Sequence, residues 1–291
     1  MELRQLEYFQ MASRLNNMTR AAERLHVSQP NITVAIQKLE SELGVSLFDR
    51  TQKQLTLTPE GQLFLRRVEI ALRELQDAAI EIDDYKQLQK GAIQLGIPPM
   101  IGSYLFPQIF FGFQRLYPKL ELSIVEEGSL SIHDKLDRGE LDLGIVILSN
   151  APPSLNLLPI SRKQILVCMP PDHPLAAQES IDIQDLRDQS LIMLKEDSYH
   201  RRIILSEFDK HQFSPRIVLS SNQLNTIKNL VANGMGLSFL LDVIVEKEPA
   251  IVGRPLSNPI LVDIGLAWKK ERYLSRASKT FIDFIPTYTS A

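Results

Sequence analysis

The 291-residue chain lacks most patterns that mark secreted, membrane or disulfide-bonded proteins. Its single cysteine, Cys168, argues against a disulfide or a cysteine-ligated metal site within one chain. Cys168 lies in the apolar run Ile165–Met169, so we interpret it as a small buried hydrophobe, with a redox sensor as the alternative. No uncharged apolar stretch is long enough to span a membrane, and the N-terminal MELRQLEYFQ has no signal-like apolar core. We therefore expect a cytoplasmic protein without membrane contact.

The motifs of common enzymes are also missing. The sequence contains no G-x-S-x-G nucleophile elbow, no G-x-x-x-x-G-K-[ST] phosphate loop and no complete G-x-G-x-x-G. The short Gly234-Met235-Gly236 follows a predicted helix rather than a strand, which indicates a tight turn. The five histidines show no metal-ligand spacing. These absences predict a protein that is not an enzyme and that has neither a cofactor nor a metal.

Charge of one sign is not in excess either. The formal net charge is -3, and residues 1–58 carry seven Lys/Arg against six Asp/Glu. An architectural protein that binds DNA of any sequence gains its affinity from a strongly basic surface, so that class is disfavoured. Any DNA-binding function must therefore depend on the local arrangement of side chains.

The composition is that of an ordinary globular protein, and two kinds of sequence pattern follow one another along the chain. Hydrophobic residues make up 44% of it and charged residues 23%, which supplies enough apolar side chains for packed cores. The length favours two or three domains. Helical spacing fills roughly the first third, and strands alternate with helices in the remainder.

The N-terminal segment predicts three short helices. The second follows a capping residue, either Asn17 or Thr19, and the third begins at Ser28, with Pro30 in its first turn and Gly44 at its end. A helical projection of the third helix gives it an inward apolar face of Ile32, Ala35, Ile36, Leu39 and Leu43. The opposite face carries Gln29, Pro30, Thr33, Val34, Gln37 and Lys38.

This outward face has the chemistry of a DNA-reading surface. A Gln29 amide pairs with an adenine edge, and Thr33 bonds to a base or touches a thymine methyl. Lys38, Arg50 and Lys53 neutralise phosphates. The alternative is a polar face that is simply solvated, which is the commoner fate of such a helix. Two helices joined by the short turn at His26 favour a helix-turn-helix.

A wing and a long helix follow. Leu55–Thr58 alternates as a short strand, and Pro59-Glu60-Gly61 opens a helix that runs to Lys90-Gly91. Apolar residues recur along this helix with heptad spacing, as a seam that pairs two helices. The seam, which we expect to mediate dimerisation, consists of Leu65, Val68, Leu72, Leu75, Ala79 and Ile82.

Beyond Ala92, strands and helices alternate, which predicts an α/β body with a parallel sheet and crossover helices. The predicted strands are Ile93–Ile97, Leu120–Val125, Asp142–Leu148, Ile165–Met169, Ser190–Met193, Ile217–Leu219, Leu237–Leu241 and Ile260–Trp268. The predicted helices are Tyr104–Tyr117, Ser131–Arg138, Arg201–His211, Leu224–Asn233 and Ser275–Phe284.

Several motifs together resemble the LysR-type transcriptional regulator family. They are AAERLHVSQPNIT at 21–33, KLESELGVSLFDR at 38–50 and LTLTPEG at 55–61, joined by VCMPPDHPL at 167–175 and LVANGMGL at 230–237. The resemblance covers nearly the whole chain. It implies a winged helix-turn-helix at 1–58, a dimerising linker helix at 59–90 and an effector-binding domain at 91–291.

The same resemblance implies further features. The effector domain consists of two Rossmann-like α/β subdomains, similar to type 2 periplasmic binding proteins, at about 91–161 with 266–291 and at about 162–265. The protein is implied to form a tetramer on double-stranded promoter DNA. The DNA-contacting positions carried over are Gln29, Pro30, Thr33 and Val34, with Arg50 and Lys53 in or beside the wing. Asn31 and Val34 depart from the common family pattern, so base preference does not carry over.

An effector is expected between the subdomains, where strand ends and helix N-termini converge. The candidate residues are Met100, Ile101, Ser103, Ser129, Ser149, Ser198, Arg201 and Thr226. Met100 stands where the family often has Ser or Thr, so Ser103 is a candidate replacement. Ser103 and Ser129 are equally explained as helix caps, and Arg201 either binds a carboxylate or lies on a solvated face. The effector class we take as default is a small carboxylate.

The sequence thus favours a DNA-binding regulator that responds to a small molecule. The alternative is a small-molecule binding protein or an enzyme built on the α/β body, whose N-terminal helices serve only for association. The missing catalytic motifs and secretion signal make that alternative the weaker one.

Overall fold

The computed structural model describes residues 1–49, 55–86, 91–149 and 151–289. These residues form two compact units, Met1–Tyr85 and Lys86–Ala291. Among the described residues, no helix is both long and apolar enough to cross a membrane.

The first unit is helical, with one small two-stranded sheet. Its elements are α1 (Leu3–Leu15), α2 (Met18–Arg24), α3 (Gln29–Leu43), β1 (Phe48–Asp49), β2 (Thr56–Leu57) and α4 (Pro59–Lys86). The Asn17 side chain caps α2 by accepting hydrogen bonds from the amides of Thr19 and Arg20, at 2.9 and 3.0 Å. Gly44 ends α3 in the left-handed conformation, at φ 71°. The predicted helix-turn-helix and the strand of the wing are confirmed.

An aromatic cluster holds this unit together. The ring centroid of Phe9 on α1 lies 5.4 Å from Phe48 in β1 and 5.5 Å from Phe64 on α4. Ile32, Ile36 and Leu39 on the inward face of α3 are buried in the same core. The inward face of α3 therefore follows the predicted periodicity at its centre, while Ala35 is half-buried and Leu43 is 37% exposed.

Hydrogen bonds fix the start of α4 against the wing. The Thr58 hydroxyl donates to the Ser46 carbonyl at 2.7 Å and accepts from the Gly61 amide at 2.9 Å. The Glu40 carboxylate accepts from the backbone amides of Leu47 and Phe48, at 2.8 and 3.2 Å. A Cβ atom at Gly61 would lie only 2.0 Å from the Leu47 carbonyl oxygen, so this position requires glycine.

The second unit is an α/β body. Its strands are β3 (Gly91–Ile97), β4 (Leu120–Glu126), β5 (Leu143–Ile147), β6 (Leu155–Met169), β7 (Ser190–Met193), β8 (Arg216–Ser220), β9 (Leu237–Leu241) and β10 (Val252–Lys269). Its helices are α5 (Pro99–Leu116), α6 (Ser129–Arg138), α7 (Tyr199–Lys210), α8 (Leu224–Ala232), α9 (Asp242–Val245) and α10 (Arg276–Thr289), with 3₁₀ turns at Pro174–Ala177 and Ile183–Leu186.

The eight strands lie in the order β4-β3-β5-β10-β6-β9-β7-β8. β3 pairs in parallel with β4 and β5, and β7 pairs in parallel with β8 and β9. β6 and β10 pair antiparallel with each other and with β9 and β5 respectively. The expectation of a parallel sheet is therefore wrong at its centre, because two long strands run between the halves without a crossover helix.

Most elements differ slightly from the predicted bounds, and three begin at least five residues before the predicted position. α5 begins at Pro99 rather than Tyr104, since proline is well suited to the first turn of a helix. β6 begins ten residues before the apolar run at Ile165, and β10 begins at Val252 rather than Ile260. The added segments have mixed burial and contain prolines, so their sequence does not have the alternation of an ordinary strand.

Candidate DNA-binding surface and ligand cleft

The outward face of α3 is exposed. Gln29, Pro30, Val34, Gln37 and Lys38 lie on the surface, and the apolar Val34 is 61% exposed. Thr33 is half-buried, and its hydroxyl accepts a hydrogen bond from the Gln29 side-chain amide at 2.8 Å. The helix thus presents amide, hydroxyl and methyl groups along one side, which are the groups that read base edges in a major groove.

The predicted phosphate contacts are only partly described. Lys38 has its ammonium 3.7 Å from a Glu2 carboxylate oxygen, and both side chains are largely exposed. Such an exposed pair is weak, so it leaves Lys38 available to a phosphate. Arg50 and Lys53 lie outside the described residues.

The structure divides the predicted dimerisation seam of α4 into two parts. Val68 and Leu72 are 2% and 7% exposed and belong to the core of the first unit, against which Leu65 also packs. Leu75 and Ile82, by contrast, are 55% and 57% exposed, and Ala79 is exposed beside them. The first half of the seam therefore packs within the core of one chain, and the exposed second half remains available to a partner helix.

A small cavity lies in the second unit, at the carboxyl ends of strands from both halves of the sheet. Its volume is about 30 Å³, which is room for about two water molecules. The residues that line it are Pro98, Pro99, Met100, Ile101, Gly128, Ser129, Ile147, Leu194, Ser198, His200, Asn222 and Leu241. This is the position where open α/β sheets bind ligands.

Four of the eight predicted effector residues line this cavity. They are Met100, Ile101, Ser129 and Ser198. The other four do not line it. The Ser103 hydroxyl donates to the Met100 carbonyl of its own helix at 2.8 Å, and the Thr226 hydroxyl donates to the Gln223 side chain at 3.1 Å. Ser149 is exposed at the end of β5.

Arg201 forms hydrogen bonds within the protein. Its guanidinium donates to the Leu194 carbonyl at 2.8 Å and to the Ser220 hydroxyl at 2.7 Å. These bonds tie α7 to the ends of β7 and β8. The positive charge expected to receive a carboxylate is thus held beside the cavity rather than in its lining.

Eight of the twelve lining residues were not among the predicted effector residues, and His200 is the titratable one among them. His200 is 4% exposed, and within the described part of the chain neither ring nitrogen has a hydrogen-bond partner. Burial lowers the pKa of His200 to about 3, so the imidazole is neutral at physiological pH. A buried polar group without a partner costs free energy, and a bound water, ion or ligand can supply the missing bond. The signal in the sequence was a histidine in the first turn of a helix at a strand end.

Asp197 bonds to two residues that line this cavity, Gly128 and Asn222. Its carboxylate accepts from the Gly128 amide at 2.8 Å and from the Asn222 side-chain amide at 3.2 Å. Its backbone carbonyl accepts from the Leu130 amide at 3.0 Å. The loop after β7 is thereby joined to the N-terminus of α6. Asp197 was not singled out from the sequence because nothing local indicates which loop it meets.

These features define a class: a winged helix-turn-helix unit, followed by an α/β unit with a ligand cleft. Residues 3–62 match the family model "Bacterial regulatory helix-turn-helix protein, lysR family", and residues 86–289 match "LysR substrate binding domain". The chain belongs to the LysR family of transcriptional regulators. It is therefore a DNA-binding regulator with an effector-binding domain.

Individual relatives agree with this assignment. The chain is 32% identical to the HTH-type transcriptional regulator YybE of Bacillus subtilis (strain 168), over the full length of both. It shares its fold with full-length CbnR in complex with target DNA, at 22% identity and a TM-score of 0.67 over 99% of this chain and all of that one. The effector-binding domain of QuiR, in complex with shikimate, is 27% identical over 69% of this chain and 98% of that domain, with a TM-score of 0.61.

Proposed function

We propose that this regulator reads a specific DNA site with the outward face of α3 and changes its arrangement on that site when a small molecule binds the cleft of the second unit. The observation that carries the proposal is the exposed set of amide, hydroxyl and methyl groups on α3, in a chain whose second unit contains a partly polar cavity. A polar helix face alone would be ordinary, but its position in a helix-turn-helix with a wing favours DNA.

In this proposal, Gln29, Thr33 and Val34 contact base edges and Pro30 and Gln37 lie beside them. Lys38, Arg50 and Lys53 contact phosphates, which positions the helix without specifying the sequence. Val34 reads thymine methyl groups, because an apolar side chain has no other feature of a base edge to recognise.

We also propose that the active form is a homo-oligomer. One recognition helix covers a single half-site, so binding with useful affinity requires two recognition helices held together. Leu75, Ala79 and Ile82 on the exposed stretch of α4 supply the apolar contact between two chains. A tetramer built from two such dimers would engage two neighbouring sites.

For the effector, we propose the cavity lined by Met100, Ile101, Ser129 and Ser198 as the binding site. Its position at strand ends from both halves makes closure of the cleft the natural link between ligand and conformation. The regulator acts in the cytoplasm, where its DNA is, and has no catalytic activity of its own. The proposal of no catalytic activity is supported by the lining of the cavity, in which no nucleophile is hydrogen-bonded to a base.

The direct test is a competition measurement by fluorescence anisotropy. The full chain is titrated onto labelled DNA from the region upstream of its own gene and challenged with random DNA of equal length. We expect the upstream fragment to bind at least tenfold more tightly. Equal affinity for both would refute specific recognition and favour a binding protein or an enzyme whose helical unit serves association.

A further inference from the structure

The cavity of the second unit has an uncharged lining, which was not expected from the sequence. Its described lining contains no Lys, Arg, Asp or Glu, and most of it is apolar. The polar groups are the Ser129 and Ser198 hydroxyls, the Asn222 amide and the His200 imidazole. A carboxylate or phosphate ligand would therefore find no cation in this lining.

The remaining attraction for an anion would be the N-terminus of α6, a ten-residue helix whose first amides carry partial positive charge. That position is already filled. The Asp197 carboxylate accepts from the Gly128 amide, and the Asp197 carbonyl accepts from Leu130 in the first turn. The chain thus supplies its own carboxylate where a ligand anion would bind.

The fit at this contact is tight. A Cβ atom at Gly128 would lie 2.2 Å from the Asp197 carbonyl oxygen, so glycine is needed for the approach. Asn222 orients the same carboxylate while its own side-chain oxygen accepts from the Lys195 amide at 3.1 Å. Glu127 adds a second carboxylate whose charge interacts with that of Asp197, and it is itself paired with Lys135. A further anion would meet repulsion here.

The second observation is His200, which points to a ligand independently of the helix. It is buried, lines the cavity and has no partner on either ring nitrogen in the described part of the chain. A neutral imidazole offers one donor and one acceptor. An amide or hydroxyl group on a ligand supplies the complementary atoms without adding a charge.

We propose that Asp197 acts as a built-in carboxylate at the N-terminus of α6, and that the cavity beside it binds an uncharged ligand whose amide or hydroxyl group pairs with His200. The inference rests on the proposed function in one respect, that an effector occupies this cleft. It replaces the small carboxylate taken as the default from the sequence.

Removing the built-in carboxylate provides the first test. Asp197→Ala leaves the Gly128 and Asn222 donors without an acceptor, so free acetate or formate should bind in its place. Melting of the second unit is followed through Trp268, the only tryptophan, at constant ionic strength. We expect acetate to raise the melting temperature of Asp197→Ala saturably, by about 2–4 °C. Acetamide, which we expect to bind the cavity instead, should raise the melting temperature equally in Asp197→Ala and in the unmodified chain.

The controls separate a vacated anion site from a general salt effect. The unmodified chain and Asp188→Ala, which removes an exposed acid of the same half, should show no acetate-dependent rise. Asp197→Asn should melt at a lower temperature but gain nothing from acetate, because its side chain still fills the space. An equal response of all four proteins to acetate, or no response in Asp197→Ala, overturns the role of Asp197.

The second test addresses the ligand class directly. The imidazole signals of the five histidines are recorded by NMR in the full chain, and His200 is identified with His200→Phe and His200→Gln. Acetamide should shift the His200 signals saturably, whereas acetate, of the same size, should leave them unchanged until Asp197 is replaced. Two results would overturn the assignment of an uncharged ligand. One is that acetate shifts the His200 signals of the unmodified chain as strongly as acetamide does, and the other is that acetamide causes no shift.

Failure of these tests is distinguishable from failure of the proposed function. A chain that still prefers its upstream DNA in the competition measurement but shows no gain of acetate binding in Asp197→Ala retains the regulator role and loses only this inference. A chain that binds all DNA equally loses the regulator role, whatever its cleft binds.

Discussion

The side-chain amide of Gln29 donates a hydrogen bond to the hydroxyl of Thr33 one turn further along α3, at 2.8 Å. Both residues belong to the exposed face of the recognition helix, so the bond couples two groups proposed to contact bases. Each holds the other in a defined rotamer before DNA arrives, which lowers the entropic cost of ordering them on binding.

This coupling predicts that Gln29→Ala and Thr33→Ala each weaken binding to the specific site, by about 1–3 kcal/mol. The double variant should lose less than the sum of the two, because each substitution already disturbs its partner. Binding to random DNA should change little. Anisotropy titrations on both DNAs measure the effects, with Gln62→Ala on α4 as a matched glutamine control. Equal losses on specific and random DNA would contradict a role in base readout.

The exposed half of the α4 seam predicts a separation of folding from association. Leu75→Glu and Ile82→Glu should leave the first unit folded, because both side chains are largely in solvent in the single chain, although the loss of association lowers its melting temperature. Sedimentation velocity should show that the tetramer is lost and that smaller species replace it. Leu72→Glu should unfold the unit, since it buries a charge in the core. Undiminished oligomers in Leu75→Glu/Ile82→Glu would place the dimer interface elsewhere.

The close approach at Gly61 predicts a purely structural effect. Gly61→Ala places a Cβ against the Leu47 carbonyl, which the backbone must move to accommodate. We expect the first unit to lose about 1–3 kcal/mol of stability. Calorimetry resolves this transition, and Trp268 fluorescence should show the second unit unaffected. Gln62→Ala serves again as the neighbouring control. A wild-type melting profile for Gly61→Ala would mean that the wing packs less tightly against α4.

His200 predicts a pH dependence of stability in the second unit. Its pKa is about 3 in the folded chain and 6.5 in the unfolded one, so between these values only the unfolded chain binds the proton. Stability is fully present above about pH 6.5 and falls as the pH decreases below it. Near pH 5 the loss is about 2 kcal/mol.

Urea unfolding followed through Trp268 at several pH values measures this dependence. His200→Phe should have a shallower slope between about pH 5 and pH 7, by the amount attributed to His200. The shift of His133, whose pKa burial also lowers, remains in both proteins and cancels in the comparison. Identical slopes in the two proteins would show that His200 is solvated in solution.

Much of the first unit was predictable because its signals are local. Asn17 and Gly44 mark helix ends through their own chemistry, and the spacing of Ile32, Ile36 and Leu39 fixes the buried face of α3. The central strands of the second unit were harder. The N-terminal part of β6 contains Pro159 and polar residues and pairs with a strand about a hundred residues away, so only the buried run after Ile165 had a recognisable pattern.

The site was less predictable than the fold for the same reason. Met100, Ile101, Ser129 and Ser198 were expected from their positions at strand ends, and they line the cavity. That Asp197 meets Gly128, or that Arg201 is held by Leu194 and Ser220, depends on how distant loops meet. The split of the α4 seam likewise depends on which of its turns the aromatic core of the first unit covers.

A footprinting titration of the full chain on DNA upstream of its own gene, with and without a panel of uncharged small metabolites and their carboxylate counterparts, tests DNA recognition and effector response together. We predict a protected site whose length or internal cleavage pattern changes with one uncharged compound, and a response that His200→Phe lacks. No protection under any condition would mean that this chain does not recognise a specific DNA site.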